Sequence, residues 1–238
     1  MEYLYKYFKN NERNRNMLSK GALFFASPNS LNDLFEMKID LNVSFKDEEE
    51  LFNFIKNLLG DASLIEDIKN EMGSKVVDML NEVDFNYFKQ NVNFESTIKS
   101  IIVEVAKVRQ RDIEELGICC FASSSQNKLM WAHYTDDNSG FCVQFKRDSW
   151  LSKCLEVKYL DEYPKINIID VLNNPKLYLD LIYSKSSEWK YEKEYRAIKE
   201  GEGEFEFPKD ILSSIIFGYK MANEEKNEIV NMFEGILI

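Results

Sequence analysis

Two carboxylates and a guanidinium stand at alternate positions in Trp189-Lys190-Tyr191-Glu192-Lys193-Glu194-Tyr195-Arg196. If the chain runs as a strand from Glu192 onward, Glu192, Glu194 and Arg196 share one face, and Lys193, Tyr195 and Ala197 take the other. Arg196 can then hold the carboxylates in place while one of them meets a substrate hydroxyl or a developing cation. The plainer alternative is a surface ladder of ion pairs, which contributes little energy.

The second candidate group surrounds His133, the only histidine, in Trp131-Ala132-His133-Tyr134. An imidazole at this place can orient a ligand, or it can be a hydrogen-bonded core residue. A thiol–imidazole pair of Cys119 or Cys120 with His133 needs only proximity in space. Both cysteines lie in an apolar run, however, and burial raises a thiol pKa rather than lowering it. Cys119, Cys120, Cys142 and Cys154 form no CxxC pair, so all four read as small buried hydrophobes in a reducing cytoplasm. No HExxH, GxxxxGK[ST] or GxGxxG occurs, which removes the familiar zinc and phosphate-loop motifs.

These groups need elements to aim them. The stretch from Gly117 to Phe145 reads as a strand, a polar bend, a short aromatic turn, a hairpin-like reversal at Asp136-Asp137-Asn138-Ser139-Gly140, and a second strand. Phe141, Val143 and Phe145 alternate with Cys142 and Gln144, the period of a half-buried strand. Earlier, Tyr3 to Tyr7 reads as a strand, Asn10 to Lys20 as a helix closed by Gly21, and Ala22 to Ala26 as a strand. Ser27 to Glu36 is a loop of turn formers, and Asp33 with Glu36 matches a capping box or, alternatively, lines a cleft. Later, Leu155 to Leu160 reads as one strand and Ile169 to Tyr183 as helix broken near Pro175. Two further strands follow at Glu204–Phe207 and Ser214–Gly218, and Asn223 to Phe233 is a closing helix.

From Asp47 to Leu116 the periodicity is helical. Leu51, Ile55, Leu58 and Leu59 form one apolar face; Leu64, Ile68, Met72, Val76 and Leu80 a second; Ile98, Ile101, Ile102, Val105 and Val108 a third. The expected architecture is a single α+β domain over 1–238, with a mixed or antiparallel sheet and residues 47–116 as a helical insertion or cap lobe.

Composition bounds the partners. At 238 residues, 45% hydrophobic, 30% charged and 13% aromatic, the chain has a globular profile that needs no disulfide or cofactor to fold. A net charge of −11 opposes broad, non-specific nucleic-acid binding. The N-terminus has no apolar signal region, and no apolar run approaches the ~20 residues of a membrane span.

The motifs LYKY (Leu4–Tyr7), LFFASPNSLNDLFE (Leu23–Glu36), MWAHY (Met130–Tyr134) with the following GFCVQF strand, and WKYEKEYR (Trp189–Arg196) come in an order that resembles a widespread bacterial and phage family of unknown function. That family's pattern is LYKY, an NDPFE-like loop, MWAHY with a GxCxxF strand, and WxxExEYR. Leu34 departs from it, standing where the pattern has proline. The layout is distantly similar to the ADP-ribosyltransferase-like fold, in which an early strand binds the nicotinamide cofactor and a late strand carries a glutamate. The resemblance implies NAD as cofactor, with Glu192 or Glu194 opposing an oxocarbenium-like state and His133 orienting the ribose. Trp131 and Tyr134 would stack on nicotinamide or adenine, and Lys6 or Arg196 would meet the pyrophosphate. Tyr5, Tyr7, Ser27, Asn32, Asp33 and Glu36 would complete the cofactor cleft. The target would be a protein, a nucleic acid or a small nucleotide, in phage defence or toxin biology. Two other classes stay open: a non-catalytic nucleotide- or partner-sensing module, and a nuclease or hydrolase holding Mg²⁺ on Asp33, Glu36, Glu192 and Glu194.

Overall fold

The structure, a computed structural model, describes residues 2–32, 45–81, 94–148, 150–162, 169–170, 174 and 176–233. It divides into two compact units, one of Met1–Glu36, Glu115–Glu162 and Tyr183–Ile238, the other of Met37–Glu114 and Tyr163–Ile182. The class is α+β, as the sequence leads one to expect. Among the described residues no helix is long and apolar enough to cross a membrane.

The first unit holds β1 (Tyr3–Phe8), β2 (Ala22–Phe25), β3 (Leu116–Ala122), β4 (Phe141–Lys146), β5 (Leu155–Glu156), β6 (Lys158–Leu160), β7 (Ser184–Ser186), β8 (Glu194–Glu200), β9 (Gly203–Glu206) and β10 (Leu212–Phe217). Its main sheet is antiparallel and six-stranded, in the order β10-β4-β1-β3-β8-β5. β2 pairs with β9, and β6 pairs in parallel with β7. Strand alternation sorts the side chains. Leu4 and Phe8, Cys119 and Phe121, and Phe141, Val143 and Phe145 belong to the main core, which Met17, Leu18, Ile229 and Phe233 help to close. A smaller cluster of Tyr7, Ala122, Met130 and Cys142 forms from the alternate positions, with Tyr5, Trp131 and Tyr134 packed against it.

β3 and β4 do not form the hairpin that their spacing suggests. β1 lies between them, so the reversal before β4 carries the chain across a strand. Asp136, Asp137 and Asn138 all take positive φ there, and a Cβ on Gly140 would sit 2.1 Å from the Phe8 carbonyl oxygen. Glycine is what lets the loop close onto β1. Leu155 to Leu160 likewise is not one strand. Its halves join different sheets, and Val157 between them donates its N–H to Glu194 O at 2.9 Å.

β1 and β3 are partners over only a short distance. β1 is paired with β4 from Tyr3↔Lys146 to Phe8↔Phe141, but with β3 only at Tyr5↔Ala122. Farther along β3, Ile118 bridges instead to Ala26, through hydrogen bonds of 2.9 and 2.8 Å. Among the described residues, the β3 edge between these two points has no ladder partner on that side. The Cys120 carbonyl there accepts from Lys6 Nζ at 2.9 Å.

The second unit holds the helices Glu48–Gly60, Ala62–Met72, Ser74–Asn81, Phe94–Glu114 and Lys176–Ile182. Asp47 and Asp61 cap the first two, accepting from Glu50 N at 2.8 Å and Leu64 N at 3.0 Å. Leu51, Ile55, Leu58, Ile98, Ile101, Ile102 and Val105 are buried as their period predicts. The face read through Leu64, Ile68, Met72, Val76 and Leu80 is broken at Gly73, which takes φ +85°. The helical register restarts there, so Val77 rather than Val76 is buried with Leu80. The side chain of Val108 lies outside the described ones, as do Asp33, Leu34 and Glu36 with their capping box.

Candidate functional site

A cavity of about 340 Å³ occupies the place where β1 and β3 part, within the size range of small-ligand sites. Tyr5, Lys6 and Tyr7 line it from β1, and Cys120 and Phe121 from β3. Asn32, just past the 3-10 turn Pro28–Ser30, lines it too. Met130 and Tyr134, Lys185 of β7, and the two acids Glu192 and Glu194 form part of the wall as well.

The local sequence explains how these groups are aimed. Asn127 starts the helix Lys128–Tyr134: its side-chain oxygen accepts from Leu129 N at 2.9 Å, while its amide nitrogen donates to the Tyr191 carbonyl. One residue thus ties the helix to the segment that carries Glu192. Met130 and Tyr134, four positions apart, share a helical face and both reach the cavity. On the other side, Ser187–Glu192 is a 3-10 turn, not strand, and Lys193 follows in the left-handed conformation at φ 46°. β8 begins only at Glu194. The expected line of Glu192, Glu194 and Arg196 on one strand face is therefore corrected. Glu194 and Arg196 do share a face, and the kink at Lys193 brings Glu192 to them from outside the strand.

What joins the three is Lys185. Its ammonium lies 2.7 Å from Glu192 Oε2 and 2.8 Å from Glu194 Oε2, while Arg196 Nε donates to Glu194 Oε1 at 2.7 Å. Tyr134 Oη donates to Glu192 Oε1 at 2.5 Å and accepts from Asn32 Nδ2 at 3.1 Å. A chain of hydrogen bonds thus runs from exposed Asn32 to Arg196, which is 0% exposed; Glu192, Glu194 and Lys185 are 4%, 2% and 6% exposed. The surface-ladder alternative fails on this burial. Desolvated charges of this kind are strongly coupled, because removing one strands its partner.

Electrostatics sets the protonation states. Burial pushes the Glu194 carboxyl up, but the charges of Arg196 and Lys185, with the hydrogen bond from Arg196, outweigh it and hold the group at about 2. Burial, then the hydrogen bond to Glu192 and its charge, push the Tyr134 phenol up, so it stays a neutral donor. Burial also raises the Cys119 and Cys120 thiols, the latter further through the Glu194 charge. Neither can supply a thiolate at neutral pH, which removes the cysteine–histidine pair.

The remaining candidates separate. Tyr5, Lys6, Tyr7, Asn32, Tyr134, Glu192 and Glu194 meet at the cavity. His133 does not line it; it is exposed, its ring 6.3 Å from that of Tyr191. Trp131 is not in the lining either. Its indole N–H donates to Ser125 O at 2.7 Å, and its ring packs edge-on against Tyr7 at 5.3 Å. Arg196 is sealed behind Glu194, out of reach of a pyrophosphate. Ser27 starts the 3-10 turn and leaves the lining to Asn32 and its neighbours. Asp33 and Glu36 lie outside the described residues. A magnesium ion on Glu192 and Glu194 would have to displace Lys185 from both, and among the described residues no group of three His, Cys, Asp or Glu could hold a metal. Lys185 itself has no motif in the sequence; the signal for it was the need of two neighbouring carboxylates for a cation if they were buried.

Residues 130–197 match a family described as "Protein of unknown function (DUF2971)". The matched stretch contains Met130, Tyr134, Lys185, Glu192, Glu194 and Arg196, and excludes β1 and the loop after β2. Comparison with curated proteins and with solved structures gives no match.

Proposed function

We propose that the cavity binds a nucleotide and that the chain is an ADP-ribosyltransferase-like enzyme consuming NAD, in phage defence or toxin biology. The observation that carries this reading is Glu192, a buried acid that still lines a cavity, with one oxygen fixed by Tyr134 and the other by Lys185. Each carboxylate oxygen keeps a second lone pair for a ligand hydroxyl. When the nicotinamide–ribose bond breaks, nicotinamide leaves with the bonding electron pair and positive charge spreads over C1′ and the ring oxygen. A fixed carboxylate opposes that charge and accepts a hydrogen bond from the 2′-hydroxyl. The acceptor's lone pair then forms the new bond at C1′ and its proton is released. In this scheme Glu192 is the catalytic carboxylate, and Tyr134, Lys185 and Glu194 position it.

The test is incubation of the full chain with NAD and mass spectrometry for free nicotinamide. Glu192→Gln should lower release on the order of 10²-fold or more while the chain still folds, because Lys185 keeps Glu194 as a partner. Wild type that releases no nicotinamide overturns the transferase reading. A second reading, a nucleotide-sensing module without chemistry, is favoured by one observation: each oxygen of Glu192 and Glu194 already accepts a hydrogen bond. It predicts that NAD or another nucleotide binds without release and that Glu192→Gln weakens that binding.

A further inference from the structure

β1 carries a lysine where its own pattern calls for an apolar residue. Alternation puts Lys6 on the same side as Leu4 and Phe8, both in the main core, and its β4 partner Val143 is in that core as well. An ammonium between two core positions of a central strand is costly unless something compensates it. Lys185 and Arg196 have carboxylates; Lys6 has the Cys120 carbonyl at 2.9 Å and the ring faces of Phe8 and Phe121 at 5.8 and 5.7 Å. Among the described residues no acid pairs with it. Lys9, also in the lining, is likewise without an ion pair there. Because Lys185 and Arg196 match Glu192 and Glu194 charge for charge, the cavity wall keeps a positive excess inside a chain of net charge −11. Such a local reversal of sign concentrates anions.

We propose that Lys6, with Lys9 farther along the same lining, is an anion subsite, and that the cavity's ligand carries a phosphate or pyrophosphate which Lys6 binds across the parting of β1 and β3. The inference rests on the cavity being the ligand site; it does not need the transfer chemistry. The ammonium has three donors, of which the Cys120 carbonyl takes one and the Cys119 sulfur a second, so one remains for a phosphate oxygen. A departure from strand patterning at one half-buried position beside the core is what a site exacts from a fold.

Calorimetry of the full chain with inorganic pyrophosphate and with ADP-ribose tests it. Wild type should bind both, ADP-ribose the more tightly if the natural ligand is a nucleotide and pyrophosphate equally if it is a free phosphate compound. Lys6→Gln should weaken both at least tenfold, Lys6→Arg should restore most of the loss, and Lys9→Gln should cost less. Glu192→Gln removes a negative charge from the same wall and should tighten pyrophosphate binding while it lowers nicotinamide release, which separates this subsite from the catalytic reading. Should Lys6→Gln fail to fold, acetylation of wild type read by mass spectrometry replaces it: pyrophosphate should protect the Lys6 amine. No pyrophosphate binding by wild type, unchanged binding by Lys6→Gln, or unprotected Lys6 overturns the proposal even if nicotinamide release is observed. Conversely, absence of nicotinamide release with pyrophosphate binding intact overturns only the transferase.

Discussion

Tyr134 donates a hydrogen bond from its phenol to Glu192 Oε1 over 2.5 Å, joining the end of a helix to the end of a 3-10 turn that lies 58 residues later in the chain. The phenol cannot easily ionise beside that carboxylate, so the direction of the hydrogen bond is fixed. Asn32 Nδ2 in turn donates to the phenol oxygen at 3.1 Å. The acid on the cavity wall is therefore held from three separate chain segments, by Asn32 through Tyr134, by Tyr134 itself and by Lys185.

Tyr134→Phe should destabilise the fold by about 1.5–3 kcal/mol, the range for a hydrogen bond to a charged group. Urea denaturation measures it. The same variant should reduce nicotinamide release or nucleotide binding, because Glu192 loses the contact that fixes one of its oxygens. A stability change near zero would mean that water replaces the phenol and that the bond contributes nothing to holding Glu192.

Lys185→Met should cost about 3–5 kcal/mol, the penalty for stranding a buried charge. It leaves Glu192 and Glu194 facing each other with Arg196 as the remaining cation. Adding Glu192→Gln to Lys185→Met should recover part of the loss, and a double-mutant cycle on the two positions reads the coupling directly. Additive losses would show that Lys185 and Glu192 act independently.

Acid should weaken the fold through Glu194. Its folded pKa, about 2, lies below the ordinary carboxylate value, so the group contributes stability at neutral pH. That contribution is complete above the unfolded pKa and is lost as pH falls from about 4.5 through about 2, amounting to roughly 3 kcal/mol for a shift of this size. Thermal melts between pH 6 and pH 2, roughly the window of the shift, should show a falling midpoint in wild type and a flatter profile in Glu194→Gln. Parallel profiles would mean that other carboxylates carry the acid response.

Which parts were legible in the sequence follows from range. The strand at Phe141-Cys142-Val143-Gln144-Phe145 and the helical period in Leu51, Ile55 and Leu58 are local, and both held, although Cys142 is buried in the second cluster, so the strand is covered on both faces rather than half-buried. The face through Val76 failed because a single glycine reset the helical register. Leu155 to Leu160 failed because period-two patterning cannot report which neighbour a strand pairs with. Glu192, Glu194 and Arg196 did come together, but through a left-handed kink at Lys193 that alternation does not predict.

By itself the sequence determined the α+β class, the burial of Cys119, Cys142 and Cys154 though not of Cys120, which is half-buried, and a set of residues in motifs that includes Tyr5, Lys6, Asn32, Tyr134, Glu192 and Glu194. Side-chain type and local period are sufficient for that. Only the tertiary structure decided that β1 inserts between β3 and β4 and parts from β3 after one residue pair, that Lys185 sits between the two acids, and that His133 and Arg196 stay out of the cavity. These depend on contacts between segments far apart in the chain, where burial and pairing of charge set the outcome and no local pattern records it.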